Sequence, residues 1–230
     1  MKILALDTSG PTQSVALLHG EELRQETQVP QNSSHTETLL PTIETLLQRA
    51  SWSLKDLELL AVTVGPGSFT GLRIGLATVK GLSRAHSIPA VGVSTLEAMA
   101  FPHLGEGGSV LPCLDARQGE IYAAGFAQAD PKGEHETLLE PQAQRVEDFL
   151  ARIEKLPFPH HLLGSGIHAY PDLLQDPIRT SVSESLGPQA QWVGRLALKM
   201  YTRNPNLVDF PLSPRYLRSS TAEQKRAQKA

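Results

Sequence analysis

A single cysteine, Cys113, is all that this sequence of 230 residues contains. That excludes an internal disulfide framework and a zinc site built on thiolates. Its setting, Val110-Leu111-Pro112-Cys113-Leu114, marks it as a buried and inert thiol. No apolar run approaches the roughly 20 residues needed to cross a bilayer, and the one after Met1-Lys2 is too short for a signal peptide. Neither sign of charge dominates: the formal net charge is −3 and the pI about 6.2, which excludes a chain-wide nucleic-acid or membrane surface. The zincin string His-Glu-x-x-His is missing as well. His135-Glu136 begins it, but Leu139 stands where the second imidazole belongs. A chain of 25.0 kDa with these absences reads as a soluble cytoplasmic protein of one large or two modest domains.

What is present in quantity is glycine, concentrated in Gly65-Pro66-Gly67-Ser68-Phe69-Thr70-Gly71-Leu72-Arg73-Ile74-Gly75. The block follows Leu59-Leu60-Ala61-Val62-Thr63-Val64, an apolar run with the character of a buried strand, and leads into a helix over Thr70–Arg84. Strand, glycine turn and helix in that order suit an anion at the helix start. A Walker loop, however, needs lysine directly after its last glycine, and here Leu72 follows Gly71. Gly71 and Gly75 are four apart and share one helix face. Each interior glycine costs about 1 kcal/mol of helix stability relative to alanine, so another backbone must approach that face closely. Spacing leaves two readings open: a second helix, in this chain or another, or a sheet of the same domain.

Around this block the chain reads as α/β. Lys2–Leu6 is a strand, Asp7-Thr8-Ser9-Gly10-Pro11-Thr12 a turn, and Ser14–Leu18 a second strand. The polar stretch after it has no periodicity. A helix opens at Ser34, where Ser34 and Glu37 fit a capping box, and carries an apolar stripe of Leu39, Leu40, Ile43, Leu46 and Leu47. Ala90–Val93 is a strand and Leu96–Ala100 a helix. After Gly-rich Pro102–Ser109 the opening pattern recurs, with Val110–Leu114 a strand, Asp115–Gly119 a turn and Ile121–Phe126 a strand. Asp7 and Asp115 thus hold equivalent places in two related lobes, 1–105 and 106–218. Gln128–Glu140 is polar connection, Val146–Leu156 a helix, His161–Leu163 a strand, Gln189–Tyr201 a helix, and 219–230 a polar, basic and disordered tail.

Several blocks, in order along nearly the whole chain, resemble the TsaB (YeaZ) family. They are Asp7-Thr8-Ser9; His35 with Leu39-Leu40-Pro41; the glycine block; Gly92-Val93-Ser94-Thr95-Leu96-Glu97-Ala98; Asp115-Ala116-Arg117; and Pro214-Arg215-Tyr216-Leu217-Arg218. The resemblance implies the ribonuclease H-like fold of actin, Hsp70 and sugar kinases, in two lobes. It also implies a non-catalytic subunit of the machinery that makes threonylcarbamoyladenosine at position 37 of tRNA. Its partners would be a catalytic TsaD-like subunit, a TsaE-like ATPase and, in their absence, a second copy of itself; tRNA would be met through the complex, and no membrane. The family docks through its first two helices, here Ser34–Arg49 and Thr70–Arg84. That implication favours an inter-chain helix bundle, with Leu39, Leu40, Ile43 and Leu47 on the first helix and Gly71, Leu72, Gly75, Leu76 and Val79 on the second as the interface candidates; which of these face the partner and which the sheet stays open.

Enzyme readings find little to stand on in the residues. His160, His161 and His168 gather at a Pro-rich turn without ligand spacing, which suits surface or turn histidines. Neither Ser68 nor Ser165 lies in Gly-x-Ser-x-Gly. An ATPase of this superfamily would use Asp7 near a metal–phosphate site, with Asp115 its counterpart; Ser9-Gly10-Pro11 brings no basic residue to that turn, and an aspartate capping its own turn is the alternative. The expectation is therefore a vestigial nucleotide site at Asp7 and Asp115, no catalytic residue, no metal, no cofactor of its own, and ATP or ADP only at the border with the partner. Arg73, Lys80 and Arg84 share one side of the glycine helix, as a solvated face or a minor contributor to tRNA contact. A nucleotide-binding ATPase or a glycoprotease-like metallopeptidase is the alternative function.

Overall fold

A computed structural model describes residues 1–30, 35–129, 135–171, 179–183, 187–204 and 212–218. The capping residue Ser34 and the tail 219–230 fall outside them. Two five-stranded sheets organise the chain. The first comprises β1 (Lys2–Asp7), β2 (Thr12–His19), β3 (Glu22–Pro30), β4 (Leu59–Gly65) and β5 (Ala90–Ser94), in the order β3-β2-β1-β4-β5. β2 runs antiparallel to β1 and β3, while β4 runs parallel to β1 and β5. The second comprises β6 (Ser109–Arg117), β7 (Glu120–Gln128), β8 (His135–Arg145), β9 (His160–Leu163) and β10 (Arg179–Ser183), in the order β10-β9-β6-β7-β8. Reversed, that is the first order again, with each strand replaced by its successor five places on. The two related α/β lobes expected from the paired strand–Asp–turn–strand patterns are present.

Helices cover the sheets as the residue pattern requires. On β1, Leu4 and Leu6 point to one face and Ile3 and Ala5 to the other, all buried. The Leu4/Leu6 face packs with Val15, Leu17, Leu60 and Val62 beneath α1 (His35–Arg49) and α2 (Phe69–His86). The Ile3/Ala5 face meets α6 (Ala190–Arg203) through Val193, Leu196 and Ala197. The lobe expected over 106–218 therefore gives its last helix to the first sheet. In the second lobe α4 (Val146–Ile153) and α5 (Ser165–Ala169) cover one face, with Phe149 fully buried, and α3 (Thr95–Ala100) lies against the other.

Some segments differ from their sequence readings. The aperiodic stretch after β2 is β3, an edge strand with one face in water and the other only half-buried behind Leu23, Gln25, Thr27 and Val29, so too few apolar residues alternate to mark it. Of the polar stretch over 128–140, a loop or β-connection by sequence, residues 135–140 belong to β8, edge strand of the other sheet. His160 and His161 are not surface residues: both are buried on β9. Cys113 is buried as expected, and burial pushes its thiol pKa far up. Among the described residues no helix is long and apolar enough to cross a membrane.

Phe149→Ala is expected to lower stability by about 3–5 kcal/mol, because the ring is fully buried and its removal leaves a cavity in the core. Urea unfolding followed by circular dichroism measures this; a loss below about 1 kcal/mol would mean that the second lobe repacks.

Candidate functional site

The parallel strands β1 and β4 end side by side, and the residues singled out in the sequence converge there. Asp7, at the tip of β1, is 1% exposed. Its Oδ1 accepts from the Ser9 N–H at 3.1 Å, the Ser9 hydroxyl at 2.7 Å and the Thr63 hydroxyl of β4 at 2.6 Å. Burial outweighs these donors and raises its pKa to about 6.

The turn after Asp7 lies in the glycine face of α2. The Thr8 hydroxyl donates to the Gly71 carbonyl at 2.8 Å, and the Ser68 N–H donates to the Ser9 carbonyl at 2.7 Å. A Cβ at Gly71 would overlap the Thr8 carbonyl, one at Gly67 the Ser9 carbonyl, and one at Gly75 the Thr8 hydroxyl. Ser68 caps the helix, accepting from the Gly71 N–H at 3.2 Å. Of the two readings of the glycine spacing, the structure takes the helix-to-sheet contact within the chain. This corrects the inter-chain bundle across Gly71 and Gly75: those glycines are occupied by the chain's own turn.

The remaining predicted docking residues divide the same way. Leu76 and Val79 of α2 and Leu39, Ile43 and Leu47 of α1 are buried in the chain's own first core, and Leu72 is buried beside Gly65. Leu40 alone stands out, 51% exposed. A helix has one broad apolar stripe, and the sheet takes it. Exposed on α1 are Glu37, Leu40, Pro41, Glu44, Thr45, Gln48 and Arg49, and on α2 Phe69, Thr70, Arg73, Ala77, Lys80, Gly81, Arg84, Ala85 and His86. Gly81 has open space where a side chain would be.

Asp115 stands two residues before the end of the corresponding strand of the second lobe, in a different setting. Its side chain is partly exposed; Oδ1 accepts from the Arg117 N–H at 2.8 Å and the Tyr170 hydroxyl at 3.2 Å. Ser165 donates from Oγ no proton here but accepts one, from the Asp115 N–H at 3.1 Å. Gly164 and Gly166 pack on the Cys113 backbone as Gly67 and Gly71 pack on Ser9 and Thr8. Asp115 is thus a turn-capping aspartate. Among the described residues no group of three or more histidine, cysteine, aspartate or glutamate side chains could hold a metal ion.

One feature escaped the sequence reading. Phe69 and Tyr216, 36% and 40% exposed, stack with ring centroids 4.8 Å apart and planes at 25°. The Arg73 guanidinium lies 3.8 Å from the Phe69 centroid and donates from Nε to the Tyr216 hydroxyl at 3.0 Å. Phe69 and Arg73 are four apart, a spacing that signals their contact; the arrival of Tyr216 has no local signal.

Known proteins match on both sequence and structure. The family model described as "TsaD: tRNA N6-adenosine threonylcarbamoyltransferase" covers residues 26–182. The tRNA threonylcarbamoyladenosine biosynthesis protein TsaB of Escherichia coli (strain K12) is 33% identical over 98% of this chain and 98% of its own. That of Bacillus subtilis (strain 168) is 30% identical over 98% and 97%. The solved structure of YeaZ from Pseudomonas aeruginosa superposes with a TM-score of 0.75 at 28% identity, covering 94% of this chain and 99% of that one.

Two outcomes are expected. Gly75→Leu has no room and should cost more than about 3 kcal/mol or prevent folding; a stable variant by thermal melting would show the turn able to leave. Asp7 binds its proton more tightly folded than unfolded, so its contribution makes stability fall as pH rises from 3.8 to about 6, by roughly 3 kcal/mol. Asp7→Asn should flatten that part of the profile in denaturant titrations, and an unchanged slope would place the titration elsewhere.

Proposed function

The chain belongs to the TsaB (YeaZ) family of tRNA threonylcarbamoyladenosine biosynthesis proteins, and from that premise we propose that it is the docking and activating subunit, without catalysis of its own. The observation that carries the proposal is the filling of the glycine block. In a nucleotide-binding protein, backbone N–H groups of such a turn cradle phosphate. Here the Ser68 N–H is given to Ser9 and the Gly71 N–H to Ser68. Asp7 in the same place has three intramolecular donors on Oδ1 and a raised pKa. These groups hold the lobe together and leave the outer faces of α1 and α2 for recognition.

The partner is a TsaD-like catalytic subunit, joined by a TsaE-like ATPase, with nucleotide only at their borders. Docking activates if it binds the partner's competent conformation more tightly than its resting one. The surface is the solvent side of the two helices: Leu40 supplies an apolar contact, and Ala77 and Gly81 let another helix approach. Glu37 and Glu44 on α1 oppose in sign Arg73, Lys80 and Arg84 on α2, with Arg49 at the end of α1 the exception, so two copies can also pair about a two-fold axis, each α1 on the other's α2.

Gly81→Trp tests this face. Its Cβ meets nothing, and replacing a mid-helix glycine favours the helix. The melting temperature should hold or rise while docking weakens at least about tenfold, read by light scattering of the chain mixed with its host's TsaD-like protein. Undiminished docking would move the interface off α2.

A further inference from the structure

Residues 212–218 touch both lobes. Leu212 packs against the first core, and the Arg215 N–H donates to the Val64 carbonyl of β4 at 2.7 Å. The neighbouring Gly65 has φ +115°, and a Cβ there would stand 2.8 Å from the Arg215 carbonyl, so glycine lets the segment lie against the β4–α2 turn. Tyr216 then reaches Phe69 and Arg73 on the exposed start of α2. Two residues later the segment is fixed to the other lobe. Arg218 donates from Nη1 to the Ala116 carbonyl at 3.1 Å and from Nη2 to Gln118 Oε1 at 2.8 Å, and Nη1 lies 3.0 Å from Glu120 Oε2. These partners form the β6–β7 turn that follows Asp115.

We propose that the docking surface extends from the two helices onto this strap, with Tyr216 a contact residue for the catalytic partner and Arg218 the residue that positions it from the second lobe. The inference rests on the docking reading above. Tyrosine and arginine are the residue types that most often dominate interfaces. The cluster is continuous with the outer face of α2, which carries Arg73. Its chemistry asks the partner for an apolar side chain over the Tyr216 ring and a carboxylate or carbonyl at the Arg73 guanidinium, whose Nε is engaged by Tyr216. Because Tyr216 and Arg218 are two residues apart and each is held by a different lobe, a partner that orders Tyr216 also orders the β6–β7 turn; by linkage, loosening that turn weakens docking.

Two measurements on the full chain decide this. In titrations against the TsaD-like subunit, Tyr216→Ala should weaken docking at least about tenfold. Arg218→Ala, outside the helix face, should weaken it about three- to tenfold. In the free chain, hydrogen exchange should show Arg73→Ala raising exchange at residues 117–120 at least about threefold, although Arg73 belongs to the other lobe. Wild-type docking by Tyr216→Ala, or exchange changes confined to the mutated lobe, overturns the proposal. A wild-type chain that ignores the partner overturns the docking reading and Tyr216 as a contact with it, whereas cross-lobe exchange would still support positioning by Arg218.

Discussion

The first lobe depends on one fit: the Thr8–Ser9 turn seated in the glycine face at the start of α2. Two backbones approach there more closely than any side chain permits, and each supplies what the other lacks. The Ser9 carbonyl receives the Ser68 N–H, one of the first donors of a helix, which have no partner inside it. The Gly71 carbonyl receives the Thr8 hydroxyl. With α2 held at this depth, Leu72, Leu76 and Val79 sink into the sheet. At about 1.5–3 kcal/mol per fully buried side chain, they outweigh the roughly 2 kcal/mol of helix propensity lost at Gly71 and Gly75.

The same device recurs in the second lobe with a different electrostatic result. There Gly164 and Gly166 let α5 approach the end of β6, yet Asp115 remains partly in water beside Tyr170 and Arg117. Asp7 is sealed, and its proton is held more tightly in consequence. Positions that correspond in the two strand orders thus differ in depth of burial, 1% exposed at Asp7 against a partly exposed Asp115.

The sequence disclosed most where one physical demand acts locally. Strands β1, β2, β4 and β5 and the helices after β3, β4 and β5 show their periodicity because one set of residues faces a core. β3 and β8 are edge strands whose inward faces carry few apolar residues (only Leu23 and Val29 on β3), and no strong local pattern marks them. Gly71 and Gly75 announced a close neighbour but not its identity, since four-residue spacing describes the helix alone. The neighbour, Thr8, lies more than sixty positions earlier in the chain, and only the parallel pairing of β1 with β4 brings it there. The apolar stripes of α1 and α2 were legible; that the sheet consumes them, Leu40 excepted, follows from a layer order that hydrophobicity does not encode.

That assignment constrains recognition. A partner that needed Leu39, Ile43, Leu72 or Val79 would have to pull both helices from the sheet, losing a core that supports β1 and β4 and unseating the Asp7 turn. No interface of ordinary size replaces that burial, because association also bears the loss of rigid-body freedom. Recognition on these helices must therefore use their polar and small-residue side, where Leu40, Ala77 and Gly81 stand among charges. Such a surface supplies little apolar area and draws its strength from a few anchors. On the proposed docking reading the aromatic–guanidinium cluster at the start of α2 would be an anchor of that type, and it is held by a strap whose other end is Arg218 in the second lobe.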